Sequence, residues 1–67
     1  MQIRLNGENR DVSAASVLEL VRELGHDPGA FGVALALNEE VVHRARWQET
    51  PLSEGDRVEI VTAVQGG

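Results

Sequence analysis

The apolar positions of the chain follow two different periods, and the first is the period of a strand. Residues 1–6 alternate between apolar and polar side chains, which is typical of a half-buried strand. Asn6 and Gly7 come next, and this pair favours the type I′ turn of a β-hairpin because both central residues must reach positive φ. The pattern predicts a first hairpin whose returning strand covers residues 9–12.

The next segment has the period of an amphipathic helix. Apolar residues at helical spacing extend from Val17 to Leu24. Ser16 stands directly before them and Glu19 lies three residues after it, an arrangement that forms a capping box. Gly25 then offers a stop, because glycine adopts positive φ at a helix C-terminus without strain. The pattern predicts one short helix between Ser16 and Gly25.

The remainder of the chain returns to strands. Residues 26–32 contain glycine, proline and aspartate and predict a loop, which leads into a strand over 33–38. Residues 38–40 then turn the chain into Val41 and Val42, which completes a second hairpin. The segment 44–50 shows no clear period. A turn at 54–56 precedes alternating residues 57–62, which predict the last strand. The order of elements is therefore hairpin, helix, hairpin and final strand.

These elements must share one core, because a sheet buries its apolar side only against a second layer. A chain of 67 residues forms a single domain, 1–67, near the lower size limit for folding without disulfides or metal. We expect an α+β fold in which a mixed sheet of four to five strands packs on one main helix, with the first and last strands together in its middle. This arrangement resembles the β-grasp, or ubiquitin-like, fold. The predicted strand residues of the core are Met1, Ile3, Leu5, Leu35, Leu37, Val58 and Ile60.

Composition and charge exclude several classes of function. Six basic and eleven acidic residues give a net charge of −5, which repels nucleic acids and anionic membranes and favours basic partners. The two aromatic residues are too few for a platform that stacks nucleic-acid bases. Without cysteine, no disulfide and no thiolate carries the chemistry. No signal peptide or membrane span is recognisable, so we expect a soluble cytoplasmic protein.

The tail is the feature most informative about chemistry. Gly66 and Gly67 lack Cβ atoms, so they form a thin backbone that can thread a narrow channel, and a terminal glycine presents an unhindered carboxylate. Such a carboxylate can attack the α-phosphate of a nucleoside triphosphate, and a sulfur or amine nucleophile can then open the acyl-adenylate. We predict a flexible tail over 63–67 in which Gly67 reacts while Val64, Gln65 and Gly66 thread a partner's active site. The alternative is a frayed terminus without function.

Six parts of the chain carry a resemblance to a known family: 1–3, 16–21, 33–38, 41–47, 54–56 and the tail. Together they resemble the ThiS-type sulfur carriers of thiamine thiazole biosynthesis. The tail and the spacing from Arg44 to Trp47 are the most specific of them. The family often has proline where His43 stands, a departure that affects a local turn and leaves the tail unchanged.

The resemblance implies a carrier that serves as a substrate and is not itself an enzyme. A ubiquitin-activating-like adenylyltransferase, using ATP and magnesium, would activate Gly67, and a sulfur donor protein would convert it to a thiocarboxylate for thiazole synthase. The carrier would bind no cofactor of its own. Three alternatives stay open, because the tail chemistry suits more than one pathway: a molybdopterin-type sulfur carrier, a ubiquitin-like protein modifier, and a β-grasp interaction module with an inert tail.

A second candidate site lies on the outward side of the sheet. Ala34, Ala36 and Val61 take positions where a solvent-facing strand normally carries polar residues. They predict a smooth apolar patch close to the root of the tail, and we expect this patch to dock the activating enzyme. Ordinary surface alanines are the alternative.

Other residues with chemical potential have simpler interpretations. His26 and His43 have no further ligand at metal-site spacing, so no metal site is predicted. The acidic pairs, which include Glu54 and Asp56, lie in turns, where solvated carboxylates are usual. Trp47 suits either the core or a partner's pocket, and the small size of the core favours packing.

Overall fold

A computed structural model describes residues 1–29 and 32–62, and these residues form five strands and two helical segments. The elements are β1 (Gln2–Leu5), β2 (Glu8–Asp11), α1 (Val17–Glu23), β3 (Val33–Leu37), β4 (Glu40–Val41), a 3₁₀ helix (Arg44–Glu49) and β5 (Arg57–Thr62). The sheet order is β2-β1-β5-β3-β4, with β1 and β5 parallel and the other neighbours antiparallel. The expected α+β fold, with a mixed five-stranded sheet, is confirmed. No helix in the described ranges is long and apolar enough to cross a membrane.

Both hairpins turn at an asparagine with positive φ. Asn6 and Gly7 have φ values of 50° and 85° and join β1 to β2, as a type I′ turn requires. Asn38 and Glu39 have φ values of 51° and 75° and join β3 to β4. The second turn has only two central residues, so β4 begins at Glu40, which the sequence interpretation had placed in the turn.

The helix α1 is bounded as its sequence predicts. The hydroxyl of Ser16 accepts a hydrogen bond from the backbone N–H of Glu19 at 3.2 Å. The carboxylate of Glu19 reaches back and accepts from the N–H of Ala15 at 3.0 Å, one residue earlier than in the usual capping box. Gly25, with φ of 89°, ends the helix in a Schellman motif.

The 3₁₀ helix occupies the segment whose sequence lacked a clear period. Side chains repeat every three residues in a 3₁₀ helix, so neither the strand period nor the α-helical period appears. This helix packs against α1 and carries Trp47, which is 1% exposed. The indole N–H of Trp47 donates to the carbonyl of Val42 at 2.8 Å. The packing role predicted for Trp47 is therefore confirmed.

The core lies between α1 and one side of the sheet, and one predicted member is missing from it. Met1 is 38% exposed because its charged amino group, which donates to the Val12 carbonyl and lies 3.7 Å from the Asp11 carboxylate, keeps the residue in contact with water. Leu5 and Leu37 are only partly buried. The buried core residues are Ile3, Val12, Ala14, Val17, Leu20, Val21, Leu35, Trp47, Leu52, Val58 and Ile60.

Candidate functional site

The residues predicted to react and to thread a partner, Val64, Gln65, Gly66 and Gly67, lie outside the described residues. The structure describes β5 as far as Thr62, so it shows where the chain stands directly before the predicted tail. β5 is the central strand of the sheet, flanked by β1 and β3. The predicted tail therefore follows the strand that has neighbours on both sides.

The register of the sheet brings the three predicted patch residues together. Ala34 in β3 lies directly opposite Val61 in β5, and Ala36 follows two positions later on the same side of the sheet. Ala34 is exposed, Ala36 is partly buried and Val61 is 65% exposed. Val61 stands one residue before the end of β5. The three side chains thus form one surface directly beside the last described residues.

A fourth residue belongs to this surface and was missed by the sequence interpretation. Val41 in β4 lies opposite Ala36 and is 69% exposed. The two-residue turn at Asn38 and Glu39 pairs these positions, whereas the turn over 38–40 inferred from the sequence would have placed Val41 opposite Leu37. The sequence interpretation missed this turn because its second residue is Glu39, and glutamate rarely adopts positive φ. We call Ala34, Ala36, Val41 and Val61 the apolar patch.

Charged residues border the apolar patch on the same side of the sheet. Glu59 lies opposite Ala36, and Arg4 in β1 lies opposite Arg57 in β5. The guanidinium of Arg57 is 3.9 Å from the carboxylate of Glu39, a solvent-exposed pair that contributes little to stability. An apolar centre with a polar border is the arrangement found at protein–protein interfaces.

The two histidines lie in different parts of the structure. His26 lines a cleft with Arg10 and Thr62, whereas His43 precedes the 3₁₀ helix. The part of the chain that the structure describes contains no group of three or more side chains placed to hold a metal ion. His43 has a φ of −67°, the angle that a proline ring imposes, so histidine keeps the local backbone that the family's proline would have.

The acidic residues of the turn before β5 have a structural task that the sequence did not show. The carboxylate of Glu54 accepts the backbone N–H of Gln2 at 3.2 and 3.1 Å through its two oxygens. The carboxylate of Asp56 accepts the backbone N–H of Ser53 at 2.8 Å. Glu54 therefore fastens the turn to the start of β1, while Asp56 closes the turn itself, so both carboxylates are more than solvated surface charges.

Known proteins resemble this chain in both sequence and structure. A sequence model of the ThiS family matches residues 3–67. The sulfur carrier protein ThiS of Thermus thermophilus is 40% identical over 63 residues, covering 94% of this chain and 95% of that protein. The crystal structure of the thiamine biosynthesis protein ThiS from Geobacter metallireducens superimposes with a TM-score of 0.80 at 33% identity, covering both chains completely. The topology defines a β-grasp domain. The chain belongs to the ThiS family.

A longer protein also contains a region similar to this chain. The thiazole synthase of Paramagnetospirillum magneticum is 37% identical over 68 residues. The alignment covers the whole of this chain but only 20% of that protein. A ThiS-like region is therefore part of a thiazole synthase polypeptide in that organism.

Proposed function

We propose that this protein is a sulfur carrier of thiamine biosynthesis whose Gly67 carboxylate is adenylated and then converted to a thiocarboxylate. The observation that carries the proposal is the family match over residues 3–67, which includes both terminal glycines. The β-grasp body supports it, because its central strand leads directly to the segment that carries those glycines.

The proposed chemistry proceeds in two substitutions. A carboxylate oxygen of Gly67 bonds to the α-phosphorus of ATP and displaces pyrophosphate, while magnesium offsets the phosphate charge. A hydrosulfide-level sulfur then attacks the carbonyl carbon and AMP leaves, so that one sulfur has replaced one oxygen. The carrier contains no cysteine, so the sulfur resides on the carbon of its last residue.

Three partners follow from this chemistry. A ubiquitin-activating-like adenylyltransferase supplies ATP, magnesium and the catalytic groups, and a sulfur donor protein supplies the sulfur. Thiazole synthase accepts it, an assignment supported by the ThiS-like region within the Paramagnetospirillum magneticum enzyme. In this proposal the carrier is a substrate, binds no cofactor of its own and works in the cytoplasm, where ATP is available.

The apolar patch is the proposed docking surface for the adenylyltransferase. Among the described residues, three large apolar side chains are more than a third exposed, and two of them, Val41 and Val61, belong to the patch. Val61 stands one residue before the end of β5, so a partner that covers the patch lies beside the last residue before the predicted tail. Docking there would direct Gly67 into the nucleotide site.

Intact-mass analysis tests the proposed function. Incubation with the adenylyltransferase, ATP, magnesium and a sulfur donor should raise the mass by about 16 Da, the difference between sulfur and oxygen. Addition of thiazole synthase and its other substrates should return the mass to its starting value. Adducts on lysines of other proteins would instead identify a modifier, and sulfur delivered only to a molybdopterin precursor would identify the other type of carrier.

Substitution Val61→Asp tests the docking surface. A carboxylate in the centre of an apolar interface must be desolvated without a partner, so we expect the affinity for the adenylyltransferase to fall about 10- to 100-fold. Asn9→Asp is the matched control, because it adds the same charge to the same side of the sheet on the distant strand β2. Isothermal titration calorimetry measures the affinity of both variants for the adenylyltransferase. Unchanged affinity of the Val61 variant, or an equal loss in both, would reject the docking surface.

A further inference from the structure

The central strand β5 extends beyond the end of its neighbour β1. Leu5, the last residue of β1, pairs with Val58, and the chain then turns away at Asn6. Residues 59–62 of β5 continue past this last pair towards the tail. On the other flank, β3 pairs with β5 as far as Thr62.

The side chain of Asn6 takes the place of the missing strand residue. Its Oδ1 atom accepts the backbone N–H of Ile60 at 3.0 Å, and its Nδ2 atom donates to the carbonyl of Ile60 at 3.3 Å. A primary amide carries one acceptor and two donor hydrogens, so it can pair with a strand much as a peptide group does. Asn6 thus holds β5 from the β1 flank two residues before the strand ends.

Asn38 forms a similar clamp at the opposite end of β5. Its Oδ1 atom accepts a hydrogen bond from the backbone N–H of Arg57 at 2.9 Å, and the backbone N–H of Asn38 donates to the Arg57 carbonyl at 2.7 Å. Its Nδ2 atom donates to the Asp56 carboxylate at 3.1 Å. Asn6 and Asn38 are each the first residue of a two-residue turn, with φ values of 50° and 51°. They differ in which end of the strand they hold.

We propose that Asn6 is a positioning residue for the reaction of the tail, an inference that rests on the proposed function. Its amide fixes the direction of the last residues of β5, which lead into residues 63–67. When a partner binds these five residues in an extended form, they span about 17 Å, so a rotation of the strand end by about 5° displaces the end of the bound tail by about 1.5 Å. Misplacement of a reacting group by about 1 Å can lower a rate about 100-fold.

Docking and positioning should respond differently to the loss of this amide. The apolar patch is built on the β3 flank of β5, where the backbone pairing of Val61 with Ala34 does not involve Asn6. A partner should therefore bind a variant of Asn6 normally and adenylate it slowly. The expected signature is a lower kcat with an unchanged KM.

The variants Asn6→Gly and Asn38→Gly form a matched pair. Glycine accepts positive φ at both turns, so each variant keeps its hairpin and loses only the side-chain clamp. Pyrophosphate release during adenylation should show a kcat lowered about tenfold or more for Asn6→Gly, with KM within about twofold of the wild-type value. Asn38→Gly should keep both constants. Asn6→Asp, which replaces the donor to the Ile60 carbonyl with an oxygen, should reproduce the low kcat.

Hydrogen exchange shows that each clamp has been removed. The Ile60 amide should exchange faster in Asn6→Gly and the Arg57 amide in Asn38→Gly. Wild-type kcat for Asn6→Gly, or an equal fall for both glycine variants, would overturn the positioning role while leaving the proposed function intact. A wild-type protein that is not adenylated would overturn the proposed function itself.

Discussion

A form of the protein whose Gly67 ends in a carboxamide is expected to gain no sulfur. The carboxamide has the same length and nearly the same shape as the carboxylate, but it has no ionised oxygen that can attack ATP. Chemical synthesis or ligation can supply this form, because the chain has only 67 residues. Its intact mass should stay unchanged under conditions in which the wild-type protein gains about 16 Da.

Two controls separate this chemical effect from a structural one. The carboxamide form should unfold at the wild-type temperature, because every buried residue in the described ranges lies at or before Ile60. Gly67→Ala keeps the carboxylate and adds a Cβ atom, so it should react more slowly without losing the reaction entirely. Sulfur gain by the carboxamide form would place the reacting group elsewhere in the protein and reject the proposal.

Trp47→Ala is expected to remove most of the stability of the fold. Trp47 is 1% exposed and is the largest of the fully buried side chains in the described ranges. Truncation of a buried tryptophan costs about 3–5 kcal/mol, while a domain of this size has a free energy of unfolding of about 3–10 kcal/mol. The substitution also deprives the Val42 carbonyl of its indole donor. The variant should be largely unfolded or close to it at room temperature.

Urea unfolding followed by circular dichroism measures this effect. Val41→Ala is the control, because Val41 is 69% exposed and its truncation should change the free energy of unfolding by less than about 0.5 kcal/mol. Trp47→Phe keeps an aromatic ring but loses the hydrogen bond to Val42, so it should cost about 1–3 kcal/mol. Equal urea midpoints for Trp47→Ala and the wild type would show that the 3₁₀ helix contributes nothing to the core.

Local features of the fold could be predicted where a few neighbouring residues decide the backbone. The first turn depends on the positive φ of Asn6 and Gly7, and the helix start depends on a bond between Ser16 and Glu19. Residues 57–62 were predicted as the last strand and form β5 with those bounds. Each of these features arises within a few positions along the chain, so the residue types carry the information.

Features without a strong local signature were predicted less well. The 3₁₀ helix has a period that neither the strand template nor the α-helix template detects. Val41 lies in the apolar patch because the two-residue turn at Asn38 and Glu39 sets the register of β3 and β4, and a register cannot be read from local residue types. Met1 follows the strand alternation but stays exposed, because its charged amino group remains in water.

The residue types alone carry the signals for the proposed chemistry, because the two glycines at positions 66 and 67 and the lack of cysteine are visible without a fold. They also determined the order of the elements, which local propensities encode. The contact that Asn6 makes beyond its turn depends on the tertiary structure. The Asn6 amide reaches Ile60, 54 positions away along the chain, and two such residues become neighbours only when β1 and β5 pair in one sheet. Hydrogen bonds across that distance depend on register, which no local pattern of residues contains.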